Sequence, residues 1–460
     1  MNLHPDSDAV GPIDEPTRQR TTAWIWLGVY ALLAAGVLSV LLALARTPGF
    51  QDFLPWKDFF RTALVVHVDL SVLVWFMACA GMVWTLFSSR QSRWNVLAIA
   101  LAVLGTVMIS LAPFVGDGKP LMNNYVPVLQ HNWFYIALAS LAAGLVVQAL
   151  CFLRQTRITF SEPGYLNTIR FALALAAVSI LFAVVCVGWS WALIPAGIEG
   201  KVFFEYLFWG GGHVQQFTNT VLALVAWVLL VAGSGGRFPM GPRTGMALFA
   251  LVVAPLAIVP WIYRLPVESG ASIREFTELM RWGGLAAAPL CLIVLSGLFN
   301  HTPPNTDQRP LRAALLCSLS LFAAGGLLGF MIKGSNTMIP AHYHGSIVGV
   351  TLAFMGVVYY ILPRLGYAIT HRRMLNWQPY VFATGQMLHI TGLAMSGGYG
   401  VQRKVAGAEQ ALDGAAQTLG MGMMGLGGLL AAIGGLLFLI VTIAALRGDR
   451  RVREPLAAGA

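Results

Sequence analysis

The chain has 460 residues, of which 57% are hydrophobic and only 10% are charged, and its mean hydropathy is +0.71. Soluble globular proteins carry roughly a quarter of their residues as charged side chains, so this composition excludes that class. Twelve membrane-spanning helices of about 20 residues each would use about half of the chain and leave only short loops. The sequence therefore predicts one all-α integral membrane domain.

Twelve hydrophobic runs are long enough to span a bilayer, and turn-rich stretches separate them. In chain order the runs are 22–45, 59–88, 93–114, 132–153, 165–194, 203–233, 243–263, 274–299, 309–332, 341–363, 376–398 and 420–446. We therefore predict a twelve-helix membrane domain over 22–446, with an amino-terminal tail at 1–21 and a carboxyl-terminal tail at 447–460.

Basic residues outnumber acidic residues by 29 to 19, which gives a net charge of +10. Most of the basic residues lie in the two tails or beside the loops that follow even-numbered helices, as Arg90, Arg154 and Arg372 do. By the positive-inside rule these segments are cytoplasmic, so both termini are predicted to be cytoplasmic. Topology accounts for the positive charge, and no nucleic-acid partner is expected.

Four histidines lie in the first halves of even-numbered helices: His67 in helix 2, His213 in helix 6, and His342 and His344 in helix 10. Because even-numbered helices begin at the outer face, all four should lie in the outer half of the membrane. An ionisable residue inside the bilayer marks a functional site by default, since a partner must offset its desolvation. A fifth histidine, His389 in helix 11, is predicted to be a packing residue.

His342 and His344 are two residues apart, so on an α-helix they point in directions about 200° apart. Two imidazoles aimed oppositely fit the axial positions of two separate haems on either flank of helix 10. His67 could complete a six-coordinate haem with one of them, and His213 could bind a second metal or line the pocket of the other haem. The alternative is that the histidines bond backbone carbonyls or relay protons, as in transporters.

With these histidines, the sequence resembles subunit I of the haem-copper oxidase superfamily, which includes cytochrome c oxidases and nitric oxide reductases. The resemblance covers nearly the whole chain. Its motifs are His67 in a Phe/Met/Gly-rich helix, Trp209-Gly-Gly-Gly-His213, Gly325-Gly-Leu-Leu-Gly329, Ala341-His-Tyr-His-Gly345, the helix 11 stretch that begins at His389, and Arg403-Lys404.

The resemblance implies a cofactor for each site residue. It assigns His67 and His344 to a low-spin electron-transfer haem and His342 to a high-spin reactive haem. It also implies that Arg403 and Lys404 meet haem propionates, for which carboxylates at the outer rim need cationic donors. An ordinary basic loop is the alternative for this pair.

The chain departs from the family pattern where a second metal would bind. The family has adjacent histidines at the end of helix 7, but this chain reads Val259-Pro-Trp-Ile-Tyr263 there. A copper or non-haem iron near His213 is therefore an open prediction. Phe217 and Gln215 replace a tyrosine and a glutamate that oxidases commonly carry, and helix 8 has no lysine. These changes favour a protein nearer the nitric oxide reductases, or a member of the family whose chemistry has drifted.

Acidic residues are candidate proton carriers or oxygen ligands to a non-haem metal, and each is alternatively an interfacial or packing residue. They are Glu205, Glu268, Glu275, Glu278 and Asp69.

The predicted function is reduction of a diatomic gas, NO or O2, with electrons from an external donor. The donor would be a cupredoxin or cytochrome c type subunit, or a soluble cytochrome c, so a hetero-oligomer in the bacterial inner membrane is expected. The alternative is a non-catalytic electron-transfer or gas-binding haemoprotein with a degenerate second-metal site. A secondary transporter is a further rival and would be colourless.

Overall fold

The computed structural model describes residues 13–49, 59–116, 118–161, 164–236, 240–298 and 304–448. Within them, eleven helices are long and apolar enough to cross a membrane, and one further long helix, Arg372–Gly398, is more polar. We number them α1–α12 as Glu15–Arg46, Phe60–Phe87, Arg93–Phe114, Asn132–Gln155, Tyr165–Leu193, Gly200–Gly233, Pro242–Ile262, Gly270–Ser296, Arg309–Phe330, Met338–Ile361, Arg372–Gly398 and Ala415–Arg447.

The helical architecture predicted from the sequence is confirmed, with shifts at helix ends. Helix α1 begins at Glu15 rather than at 22, because the Asp14 carboxylate accepts a 2.9 Å hydrogen bond from the backbone N–H of Thr17 and caps the helix outside the apolar run. The Ser269 hydroxyl likewise accepts from the Ser272 N–H, so α8 begins earlier than expected. The predicted tails before residue 13 and after 448 lie outside the described residues.

The chain divides into two compact units, and each is built from neighbouring helices. The first contains Met1–Gly28, Val68–Ala232 and Gly236–Thr302, and the second contains Val29–His67, Gly233–Gly235 and Pro303–Ala460. In the first unit α3 packs along α4, and α5 packs against α4 and α7. In the second unit α9 packs along α10, and α11 packs along α12.

Small residues permit the close helix pairs of the second unit. A Cβ added to Gly325 of α9 would clash with the backbone of Ser346 in α10, and a Cβ on Gly345 would clash with Gly325 in return. Small residues at such contacts let helix backbones approach closely in a membrane, where packing rather than hydrophobic burial drives association. The Gly-Gly-Leu-Leu-Gly motif thus fixes the position of the helix that carries His342 and His344.

A short hairpin joins α3 to α4, and the sequence did not predict it. Strand β1, Lys119–Leu121, pairs antiparallel with β2, Val128–Gln130, with Lys119 opposite Gln130. Helix α2 also departs from regular geometry, because residues Asp69–Val74 form a π-helical turn. Such turns are rare and often occur at functional sites.

Candidate haem and gas site

The two histidines of α10 face different neighbouring helices. The Nδ1–H of His342 donates to the backbone oxygen of Gly325 in α9 at 2.7 Å. The ring of His344 instead lies 4.9 Å, centroid to centroid, from the ring of His389 in α11. The two side chains therefore contact different helices, which agrees with the different directions expected from their spacing.

Gly329 explains why the His342 ring fits against α9. A Cβ at this position would meet Nδ1 of His342 at 2.7 Å, so any larger residue would displace the ring. The glycines of the α9 motif therefore have two uses, since Gly325 admits the backbone of α10 and Gly329 admits its imidazole.

The predicted haem ligands share one hydrogen-bonding arrangement. The Nδ1 atom of His67 lies 3.0 Å from the carbonyl oxygen of Ala35, and that of His344 lies 2.8 Å from the carbonyl oxygen of Pro340. The Nδ1 atom of His342 makes the same contact with the carbonyl oxygen of Gly325. A carbonyl can only accept, so each Nδ1 carries the proton and each Nε2 keeps its lone pair. This bond is the one that the alternative of backbone-bonded histidines predicts, and it is also the bond that holds metal-binding histidines from their second ring nitrogen.

His389 joins this group, although the sequence predicted only a packing role. Its Nδ1–H donates to the Met424 oxygen at 2.8 Å, and it is within electrostatic range of His67 as well as in contact with His344. The second unit therefore places His344 and His389 in ring contact, with His67 close enough to act on both electrostatically. A single histidine inside a helix gave no periodic or spacing signal that could have predicted this.

Arg46 at the end of α1 is a cation that the sequence analysis also missed. Its Nη2 lies 3.5 Å from the Gln402 oxygen, but its buried Nε has no hydrogen-bond partner in the described part of the chain. Tyr343, between the two α10 histidines, is within electrostatic range of both Arg46 and Arg403. The Nε of Arg403 donates to the Ser335 hydroxyl at 3.3 Å. A buried guanidinium nitrogen without an acceptor suits an anionic group.

His213 lies in the first unit and is enclosed by aromatic rings. Its centroid is 4.8 Å from Trp209, 4.9 Å from Tyr125 and 5.8 Å from Phe276, and the residue is only 3% exposed. Its Nδ1–H donates to the Trp209 oxygen at 2.7 Å.

The Tyr125 ring packs on Gly212, where any Cβ would clash with it. Burial raises the pKa of the Tyr125 phenol above its usual value, and the Glu205 carboxylate raises it further. The phenol beside His213 is therefore neutral over the ordinary range of pH.

Comparison with known proteins identifies the family. The family model described as cytochrome C and quinol oxidase polypeptide I matches residues 20–437, which is most of the chain. The chain belongs to this family. It is therefore a haem-copper oxidase subunit I homologue, from a family of haem-dependent membrane oxidoreductases.

Two relatives and one solved structure are similar to this chain over most of its length. An uncharacterized protein of Rickettsia prowazekii (strain Madrid E) is 31% identical over 462 residues, covering 83% of this chain and 88% of the relative. One from Aquifex aeolicus (strain VF5) is 30% identical over 350 residues, covering 75% and 85%. A heme-copper terminal oxidase dimer solved by cryo-electron microscopy has a similar fold, with a TM-score of 0.75 at 16% identity, over 95% of this chain and 85% of the other.

The residues of this oxidase homologue fit haem. Haem needs axial imidazoles with a free nitrogen and cations for its propionates. In His67, His342 and His344 the Nδ1–carbonyl bond puts the ring proton on Nδ1, so Nε2 is the ligand atom. Arg46, whose Nε has no hydrogen-bond partner among the described residues, supplies a cation in addition to Arg403.

The residues do not fit a second metal. Among the described residues, no group of three or more His, Cys, Asp or Glu side chains could hold a metal ion. At the end of α7, Val259 and Ile262 are buried apolar residues, and Trp261 is 62% exposed. Metal sites in proteins normally offer three or more protein ligands.

The candidate acidic residues do not gather around His213. Glu205 accepts a hydrogen bond from the Asn124 amide, and Glu278 forms a 2.7 Å ion pair with Arg281. Glu275 is exposed, and Glu268 lies in the turn before α8. The Asp69 side chain is 1% exposed, and its Oδ2 has no hydrogen-bond partner within the described segments.

Proposed function

We propose that this oxidase homologue is a membrane haem oxidoreductase that passes electrons from an external donor to a bound diatomic gas, NO or O2. The observation that carries the proposal is the arrangement of imidazoles on α10: His342 faces α9 and His344 faces α11, and in both the Nε2 lone pair is free. Two haems would supply electron transfer and gas binding when present.

The chain's own residues would hold and tune these groups. His67 and His344 would hold the electron-transfer haem, and His342 would hold the gas-binding haem. The carbonyls of Ala35, Pro340 and Gly325 keep each imidazole in one tautomer and one orientation, which raises its basicity as a ligand. Arg46, Arg403 and Lys404 would neutralise propionates.

The donor and the membrane are part of the same proposal. A cupredoxin or cytochrome c type subunit, or a soluble cytochrome c, would deliver the electrons. We propose a hetero-oligomer in the bacterial inner membrane with the haem site in the outer half, where the even-numbered helices begin.

A second candidate function is gas binding or electron transfer without turnover. The enclosure of His213 by carbon-rich rings favours it, because the reductases of this family use a second metal beside the reactive haem. Consumption of NO or O2 by the purified protein, with a reductant, separates the two functions.

Absorption spectra of the purified full-length protein test the proposal. We expect reduced-minus-oxidised bands of a low-spin haem, and a carbon monoxide shift that reports the second haem. A colourless preparation would contradict the proposal and support the transporter alternative. Low-spin bands without any carbon monoxide response would contradict the assignment of an open position to the His342 haem.

A further inference from the structure

Three aromatic rings surround the imidazole of His213, and only one of them carries an atom that could bind a metal. Trp209 and Phe276 offer no ligand atom, and both lie within 5.8 Å of the imidazole, centroid to centroid. The exception is Tyr125, whose ring lies at 4.9 Å and carries a phenol. The two rings are tilted by 58° to each other, so Tyr125 packs against the imidazole of His213 and covers it on this side.

The hairpin between α3 and α4 is built to hold Tyr125 there. The Asn123 side-chain oxygen accepts from the backbone N–H groups of Tyr125 and Val126, at 3.1 Å and 3.0 Å, which fixes the turn. The Asn124 amide donates to Glu205 of α6, and so ties the hairpin to the helix that carries His213. Gly212 then admits the ring directly onto the helix backbone.

Tyr263, the residue that follows α7, packs on Phe276, which is one of the rings around His213. The Tyr263 hydroxyl donates to the Cys186 oxygen at 2.8 Å and lies 2.9 Å from the Ser190 hydroxyl. Two hydrogen-bonding groups of α5 therefore hold the Tyr263 side chain in position. Its ring stacks on Trp189 at 4.5 Å and meets Phe276 edge-on at 5.4 Å. Gly210 of α6 leaves the space that the Tyr263 hydroxyl fills.

We propose that His213 is not a metal ligand in this protein, and that Tyr125, delivered by the hairpin, occupies the side of the imidazole where a second metal would need its other ligands. The proposal rests on the proposed function and deepens it, because the protein would then hold haem without a second metal.

Metal analysis of the haem-loaded protein tests this directly. The purified chain is incubated with cuprous ion or with ferrous ion, desalted, and assayed for total copper, total iron and haem. We expect total iron to equal haem iron, and copper to stay at the level of a His213→Ala control. Copper or non-haem iron that the wild-type chain retains and the control loses would overturn the proposal while leaving the haem function intact. Absence of haem itself would instead overturn the proposed function, and this inference with it.

A chemical probe tests the role of Tyr125 and does not depend on metal. Diethyl pyrocarbonate acylates accessible neutral imidazoles, and mass spectrometry locates the product. We expect His213 to be protected in the wild-type protein and modified after Tyr125→Ala, while the exposed His371 reacts in both. Tyr135→Ala is the matched control, because it removes a tyrosine that packs on Phe204 of α6, the helix that carries His213. This variant should leave His213 protected. Equal modification of His213 with and without the Tyr125 ring would overturn the role of the hairpin.

Discussion

At the scale of single residues, the proposed function predicts separable roles for the histidines on α10. Replacing His67 or His344 by Ala should remove the low-spin bands and leave the carbon monoxide response of the His342 haem, because the two sites face different helices. The measurement is the reduced spectrum with and without carbon monoxide, together with haem content per chain. His371→Ala, in the exposed turn before α11, is the control. Loss of both haem signals from a chain that stays folded would contradict separate sites.

Arg46 should tune the potential of a bound haem. A cation near the propionates stabilises the reduced haem, which carries one more electron, so Arg46→Met should lower the midpoint potential. The expected shift is tens of millivolts, given that about 59 mV is a tenfold change for a one-electron couple. Redox titration of the visible bands measures it. Arg61→Met is the control, because Arg61 is exposed and forms a 3.4 Å ion pair with Glu409. An unchanged potential in the Arg46 variant would place the propionates elsewhere.

Residue identity alone predicted part of this site. His67, His213, His342 and His344 stood out because ionisable side chains inside a membrane are rare. Arg46 did not, since a basic residue at the end of a helix looks like an ordinary interfacial residue. His389 did not, because its closeness to His344 depends on how α11 packs against α10.

At the scale of helices, glycine positions set the approach of α9 to α10. Gly325→Ala should destabilise the protein by about 1–3 kcal/mol, the usual cost of overpacking, and lower haem content by moving the His342 ring. Gly326→Ala is the matched control, since no described atom lies within 4 Å of a Cβ there. Thermal unfolding in detergent and haem per chain measure the effect. Equal behaviour of the two variants would show that α9 and α10 do not depend on this contact.

The sequence predicted the membrane-spanning helices, but it did not predict the hairpin or the π-helical turn. Hydrophobic run length gave the spans, because a bilayer requires about 20 apolar residues of a helix. The hairpin was missed because each of its strands has only three residues, too few to show alternation. The π-helical turn at Asp69–Val74 also leaves no mark on hydropathy, since the residues around it are as apolar as those of a regular helix.

At the scale of the whole molecule, the basic residues predict the orientation in the membrane. Most of the 29 lie in the tails or beside loops after even-numbered helices, so both termini should be cytoplasmic and the hairpin should face outward. Alkaline phosphatase, which is active only outside the cytoplasm, should be active when inserted at the hairpin and inactive when fused after residue 460. The reverse pattern would invert the orientation and move the histidines to the cytoplasmic half.

Helix α10 imposes a constraint because it carries both His342 and His344. The two imidazoles belong to one stiff helix, so a rotation or shift of its backbone that moves His342 against α9 also moves His344 beside α11. A backbone movement therefore cannot adjust one imidazole alone, and only the side chains of the neighbouring helices can set the two environments separately.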